Sequence, residues 1–227
     1  MGHYAFAPLI PSLPVLSGKP FPIRRIFCVG QNYRDHAKEM GGNPDADPPF
    51  FFMKPADAIL QNGEILPYPP GTADLQHEAE LVVALGKAGR DIPAEAAADF
   101  IFGYAAGLDM TKRDVQTAYR LKGRPWEMSK SFDFSAPCSA ITPKNEGASL
   151  PKGEITCHVN GTLRQKGDLS QMIWGIADII EALSRQVAVA PGDLIFTGTP
   201  AGVGPVVKGD RIEVQITGLV SLAITIG

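Results

Sequence analysis

Apolar positions along the chain fall mostly into short runs that glycine and proline interrupt before they reach helical length. Punctuation of this kind favours many short strands over long helices. Residues 1–24 read as an irregular N-terminal arm, and the first strand is expected at Arg25 to Val29. After Gly30, the stretch NYRDHAKEM predicts a short polar helix that Asn32 would cap. PPFFFMKP reads as a short buried strand running into a turn. HEAELVVALG alternates with a period of two, which puts Glu78, Glu80 and Val82 on one strand face and Ala79 and Leu81 on the other.

DIPAEAAADF predicts one short helix with Pro93 at its first position. FGYAAGLDM is strand-like and ends at Asp109, whose face also carries Gly103, Ala105 and Gly107. Residues that small would leave room in front of the strand. Thr111 and Asp114 have the spacing of a variant capping box, opening a helix that Gly123 would close. Asn160-Gly161 between extended runs predicts a hairpin.

One long amphipathic helix is expected from Ser170 to Gln186, with Met172, Ile173, Ile176, Ile179, Ile180 and Leu183 on its apolar face. Short strands and glycine turns return from Asp193 to Ile226. The alternating βαβ rhythm of a doubly wound sheet is missing. The pattern predicts an α+β, mainly β fold: a mixed roll or sandwich with peripheral helices, formed by a single domain over 25–227.

The chain has 227 residues, 44% hydrophobic and 20% charged, as ordinary globular domains are. A formal net charge of −3 argues against nucleic acid or an anionic membrane as partner. No run of about 18 apolar residues exists to span a bilayer. The proline-broken start does not read as a signal peptide. Three scattered cysteines, with no CxxC, suggest neither a disulfide framework nor a zinc site, so a reduced, cytoplasmic protein is expected.

Glu78 and Glu80 lie two apart on a predicted strand, with Cα atoms roughly 6.5–7 Å apart on one face. A Glu-x-Glu pair is ordinary on a solvated sheet. Here the strand runs on into VVAL, which implies burial, and two buried carboxylates repel each other without a cation. Asp109, closing a glycine-rich strand before a predicted helix, sits where site residues often lie and could add a third carboxylate, although a plain strand-end or turn aspartate has the same pattern. An all-oxygen set selects Mg²⁺, Mn²⁺ or Ca²⁺ over zinc. His36 and Glu39, three apart on a helix, could form a general base. Such pairs are also common as plain surface features.

Arg113 and Gln116 share a helix face, and Lys54 and Lys130 are further cationic candidates, although lysines and arginines are usually solvated. The turn TGTPAGVG, residues 197–204, could offer N–H groups and hydroxyls to an anion. It matches neither a P-loop nor GxGxxG, and no GxSxG or HExxH motif is present.

Together, FCVGQNYRDHAKEM, PPFFFMKPADAI, HEAELVVALG, GYAAGLDMTKRDVQ, WEMSKSFD and GDLIFTGTPAGVG resemble the fumarylacetoacetate hydrolase family, in the family's order. The resemblance implies a mixed β-sandwich roll of that family's C-terminal-domain type, and a homodimer. It implies that Glu78, Glu80 and Asp109 hold Mg²⁺ or Mn²⁺, and that His36 and Glu39 activate water. Lys130 would stabilise developing negative charge, while Arg113, Gln116 and Thr199 would hold the substrate's oxygen-rich end.

The implied activity is cleavage of the C–C bond of a 2,4-dioxo acid. Within the family, the N-terminal motifs look most like the hydrolases that cleave 3-fumarylpyruvate to fumarate and pyruvate in bacterial gentisate breakdown. Acylpyruvate hydrolysis and oxaloacetate decarboxylation are the alternatives, and a non-catalytic, metal-dependent dicarboxylate binder is a third.

Overall fold

The apolar runs become the strands of a mixed, mainly β sandwich, in a computed structural model that describes residues 5, 7, 9–39, 48–145 and 151–227. The larger sheet is ordered Phe51–Lys54, Arg25–Val29, Asp193–Phe196, Ala79–Leu85, Ile101–Leu108, Ala136–Cys138, Ile59–Gln61, with Thr142–Pro143 joining beside Ile101–Leu108. The second is ordered Thr162–Asp168, Glu154–Val159, Arg211–Ile216, Leu222–Ile226, Ile65–Leu66. Three pairings are parallel: Asp193–Phe196 with Arg25–Val29, Ala136–Cys138 with Ile59–Gln61, and Leu222–Ile226 with Ile65–Leu66.

The core follows the pleat. Leu81, Val83 and Leu85 point to one side of their strand, into a cluster with Ile155, Val214 and Leu222 of the second sheet. Val82 and Ala84 point to the other side and meet Cys28, Leu194 and Phe196. Ala79–Leu85 is therefore buried along its whole length, as VVAL predicted, and any polar group it carries is buried with it.

Several local expectations change in three dimensions. The N-terminal arm is not wholly irregular: Ser12–Leu13 pairs with Phe21–Pro22, and Leu13, Phe21 and Ile23 cover the outer face of the larger sheet. Residues 1–4, 6 and 8 of that arm, and Met40 at the end of the predicted polar helix, lie outside the described residues. Phe51–Lys54 is an edge strand with Met53 exposed and only Lys54 fully buried.

Pro93 precedes a 3-10 helix, Ala94–Phe100, instead of starting an α-helix. The Thr111–Asp114 box does not form, because each side chain has another partner. The Thr111 hydroxyl donates to the Asp109 carbonyl (3.0 Å), and the Asp114 carboxylate accepts from Thr72 Oγ1 (2.6 Å) and the Ala73 N–H (2.9 Å). Gly123 does follow the helix Arg113–Leu121, in the left-handed conformation expected there.

Asn160 and Gly161 both have positive φ, as a type I′ hairpin requires. The long amphipathic helix is shorter than predicted. A 3-10 turn at Leu169–Gln171 and a break at 172–175 precede the helix Ile176–Gln186. The break arises because the Ile173 N–H goes to the Asn32 carbonyl (2.8 Å) and the Trp174 N–H to the Asn32 side chain (2.8 Å).

The small residues before Asp109 do not open space for a ligand. A Cβ at Gly107 would lie 2.5 Å from Val82 Cγ2 and 2.9 Å from the Phe196 ring; one at Gly103 would lie 2.5 Å from the Thr142 carbonyl. Core side chains and a crossing strand use the room instead.

Candidate active site

At the end of the larger sheet, the chain passes from the strand Leu75–His77, which belongs to a three-stranded sheet, into Ala79–Leu85. Glu78 lies at that junction, outside both strands, so it does not share a regular strand face with Glu80 as predicted. It is still held firmly, because its carbonyl accepts from the Asp109 N–H (2.8 Å). That bond brings the end of Ile101–Leu108 against the Glu78–Glu80 segment. Glu78, Glu80 and Asp109 are 4%, 2% and 1% exposed, and each offers an oxygen within 4.8 Å of the others.

Three cations face these three carboxylates. Lys130, on the short helix Glu127–Lys130, bridges Glu78 Oε2 (2.6 Å) and Asp109 Oδ2 (2.8 Å). Arg113, at the start of its helix, pairs with Glu78 Oε1 and also donates to the Gln116 side chain and to Gln76 Oε1 (2.9 Å). Lys54 reaches in from the edge strand, with Nζ 2.8 Å from Asp109 Oδ1, and donates to the carbonyls of Met110 (3.2 Å) and Lys130. All three of these cations are buried.

Glu80 differs from its neighbours. Its Oε2 accepts from the Gly198 N–H (2.7 Å), and among the described residues no cation stands within ion-pair distance. Burial, then the charges of Asp109 and Glu78, push its carboxyl well above the usual range. Burial would raise Glu78 too, but Lys130, Arg113 and His36 outweigh it and hold that carboxyl well below the usual range.

Asp109 Oδ1 is buried and, despite the Lys54 ammonium nearby, has no donor aligned on it. A carboxylate without a counter-charge and an orphaned oxygen beside it are what a divalent cation would satisfy. The residues fit such an ion, and the all-oxygen set fits Mg²⁺ or Mn²⁺.

The cleft above the triad is lined by His36, Gln116, Trp126 and Thr199, with the triad, Arg113 and Lys130 at its base. His36, on the helix Arg34–Glu39, is 5% exposed, and its Nδ1 lies 3.2 Å from Glu39 Oε2. Glu39 itself does not line the cleft, so it stands behind the imidazole. Asn32 does not cap this helix as predicted; its amide donates to the carbonyls of Trp174 (3.0 Å) and Thr197 (2.8 Å), tying the loop before the helix to the rest of the fold. Trp126 forms an aromatic wall, edge-on to Phe50 and Phe52.

The TGTPAGVG turn does present an N–H to an anion, but the anion is the protein's own Glu80. Gly198, with positive φ, must be glycine: a Cβ there would lie 2.7 Å from Asn32 Cβ. Of the site residues singled out in the sequence, His36, Glu78, Glu80, Asp109, Arg113, Gln116, Lys130 and Thr199 line one cleft, while Glu39 and Lys54 stand behind it, against His36 and Asp109. Trp126, Gln165 and His77 were not singled out. Gln165 and His77 form a buried layer behind the triad, and their places in the sequence carry no spacing signal that could have revealed it.

A mainly β sandwich holding three buried carboxylates able to take a divalent ion, with matching cations under a histidine-bearing helix, defines the class: an enzyme acting on a small molecule. The model of the fumarylacetoacetate (FAA) hydrolase C-terminal domain matches residues 25–227, and the chain belongs to that family. It is a hydrolase acting on carbon–carbon bonds.

Among curated proteins, it is 43% identical to the mitochondrial oxaloacetate decarboxylase of Dictyostelium discoideum over 197 residues, 86% of this chain and 90% of that protein. It is 42% identical to a Ralstonia fumarylpyruvate hydrolase over 178 residues, 78% of this chain and 92% of that protein. Among solved structures, fumarylpyruvate hydrolase from Pseudomonas aeruginosa, in complex with Mn²⁺ and pyruvate, superposes with a TM-score of 0.95 at 46% identity, covering 99% of each chain. Among the described residues, no helix is long and apolar enough to cross a membrane.

Proposed function

We propose that the protein hydrolyses a 2,4-dioxo acid, with 3-fumarylpyruvate as substrate and fumarate and pyruvate as products. The observation that carries this reading is the charge arrangement at the base of the cleft. Three carboxylates face Lys54, Lys130 and Arg113, so the bare cluster is formally neutral. A divalent ion makes it doubly positive, which matches a substrate bearing two carboxylates. Likeness to the P. aeruginosa enzyme over nearly the whole chain supports the choice of substrate.

Glu78, Glu80 and Asp109 would hold Mg²⁺ or Mn²⁺, which supplies Lewis acidity toward the keto oxygen of a dioxo acid. Arg113 and Gln116, joined to each other at the cleft base, orient the oxygen-rich end of the substrate. His36, with Glu39 on its Nδ1, takes a proton from water. The water oxygen adds to the acyl carbonyl carbon at C4. Lys130, fixed between Glu78 and Asp109, offers positive charge to the developing oxyanion. The C3–C4 bond then breaks. Its electron pair goes to C3, giving the enolate of pyruvate, which is protonated, while the hydroxyl stays with fumarate.

A second reading, oxaloacetate decarboxylation, is supported by the comparable identity to the Dictyostelium enzyme. Decay of the near-UV enol absorbance of fumarylpyruvate, with and without Mg²⁺ or Mn²⁺, tests the first reading. Metal-dependent decay is expected, and its absence overturns the assignment. A far higher kcat/KM on oxaloacetate would favour the second reading. The proposal extends to a homodimer serving gentisate breakdown in the cytoplasm, with sedimentation velocity as the test of assembly.

A further inference from the structure

Behind the triad, Gln165 is completely buried, and its amide makes four contacts. It reaches from the strand Thr162–Asp168 to two segments far away in sequence. Its Oε1 accepts from the Ala79 N–H (3.0 Å), and its Nε2 donates to the Pro200 carbonyl (2.8 Å). One of these partners can only donate and the other can only accept, so the amide has one possible orientation. The other two contacts follow from it. His77 Nδ1, 2.9 Å from Oε1, carries the ring proton, and Thr199 Oγ1, 2.8 Å from Nε2, accepts.

The proton of the Thr199 hydroxyl is also assigned. Thr199 Oγ1 lies 2.8 Å from the Ala79 carbonyl, which can only accept. The Asp109 N–H donates to the Glu78 carbonyl, so strand alternation turns the Ala79 carbonyl the opposite way, toward the 197–200 loop. There the Thr199 hydroxyl is its partner. With its proton given to Ala79 and one lone pair taken by Gln165, the hydroxyl has a single lone pair left where it lines the cleft.

We propose that the Ala79 carbonyl and Gln165, as a positioning residue, together fix the Thr199 hydroxyl as an acceptor-only group, so that it selects a ligand oxygen bearing a proton, as in an enol or an α-hydroxy acid. A carboxylate or keto oxygen brought to the same lone pair is repelled. The inference rests on reading this cleft as the substrate site. It assigns Thr199 to the enol hydroxyl of a dioxo acid, in place of the general grip on oxygen-rich groups that the resemblance implied.

The test is a pair of anions of nearly equal size, glycolate with its hydroxyl and oxalate without one. Each is titrated calorimetrically into the Mn²⁺-loaded protein. Thr199→Val should weaken glycolate about tenfold and leave oxalate within about threefold. Thr199→Ser, which keeps the hydroxyl, should restore the wild-type ratio. Gln165→Met removes a donor to the hydroxyl but leaves the Ala79 carbonyl to hold its proton, so glycolate should stay favoured over oxalate.

Equal losses for both anions in Thr199→Val, or a ratio reversed in favour of oxalate in Gln165→Met that folds and binds Mn²⁺, would overturn the proposal. Should Gln165→Met fail to fold, the Thr199 pair still decides. Failure of the wild-type protein to bind either anion would instead overturn the reading of the cleft itself.

Discussion

The base of the cleft and its rim are held in different ways. At the base, Glu78, Glu80 and Asp109 sit on or beside strands inside the main-chain ladders of the larger sheet, and each of their flanking segments is bonded to another. Three buried cations and the Gly198 N–H then fix the carboxylates. At the rim, His36 stands on a six-residue helix where Glu39, three residues on, supports its ring, with Asn32 anchoring the loop before it. The base is thus assembled by long-range contacts that also hold the fold, whereas the rim is a short helix anchored through the loop before it. Changes at the base should therefore alter ion binding and stability together. Changes at the rim should alter turnover and leave the fold intact.

Glu80→Gln should have the largest effect. It removes the one carboxylate with no cation of its own, and both Mn²⁺ binding and metal-dependent turnover should be lost while the protein stays folded. Calorimetry and an activity assay check this, and full activity would show that the ion is held elsewhere.

His36→Ala should lower kcat by roughly 10²–10⁴ with Mn²⁺ affinity nearly unchanged, the usual loss for a general base. An equal fall in Mn²⁺ affinity would move His36 into the base and erase the distinction. Lys54→Met removes one of the two buried ammonium groups on Asp109, leaving Lys130 on its other oxygen, and should destabilise the ion-free protein by up to about 3–5 kcal/mol. Added Mn²⁺ should recover much of that, because an ion bound by the folded state alone raises its stability. Melting with and without Mn²⁺ measures the recovery.

Asn32→Ala should have the smallest effect. It leaves the Thr197 carbonyl, the buried one of its partners, without a donor, at a total cost of about 1–3 kcal/mol, because the half-buried Trp174 groups can turn to water. The loss should appear as faster hydrogen exchange at 32–39 with exchange at 79–85 unaltered; equal loosening of both would mean that rim and base are one unit.

Much of this site was legible in the residues. The Glu78/Glu80 pair, Asp109 and His36/Glu39 stand out because strand and helix periods are local properties. Burial of the triad strand followed from VVAL. Lys54 was harder to judge, because a lysine in FFFMK on an edge strand looks solvated until Asp109, 55 residues away, is brought beside it. The failed caps have a common cause: Asn32, Thr111 and Asp114 are all good local caps, but Asn32 and Asp114 found partners far along the chain and Thr111 found the Asp109 carbonyl two residues back. Gly103 and Gly107 were correctly read as making room, but the occupants, Phe196 and the 142–143 strand, could not be known from the strand itself.

By itself, the sequence determined the strand-rich architecture, the acidic and basic groups available for chemistry, and the family to which they belong. Periodicity, turn residues and motif order are carried by neighbouring positions. Only the tertiary structure decided which charges meet: that Glu78 and Asp109 have cations and Glu80 does not, and that the Ala79 carbonyl and Gln165 together set the direction of the Thr199 hydroxyl. Those outcomes depend on buried distances of about 3 Å between segments far apart in the chain, where low dielectric makes each pairing strong and no local pattern records it.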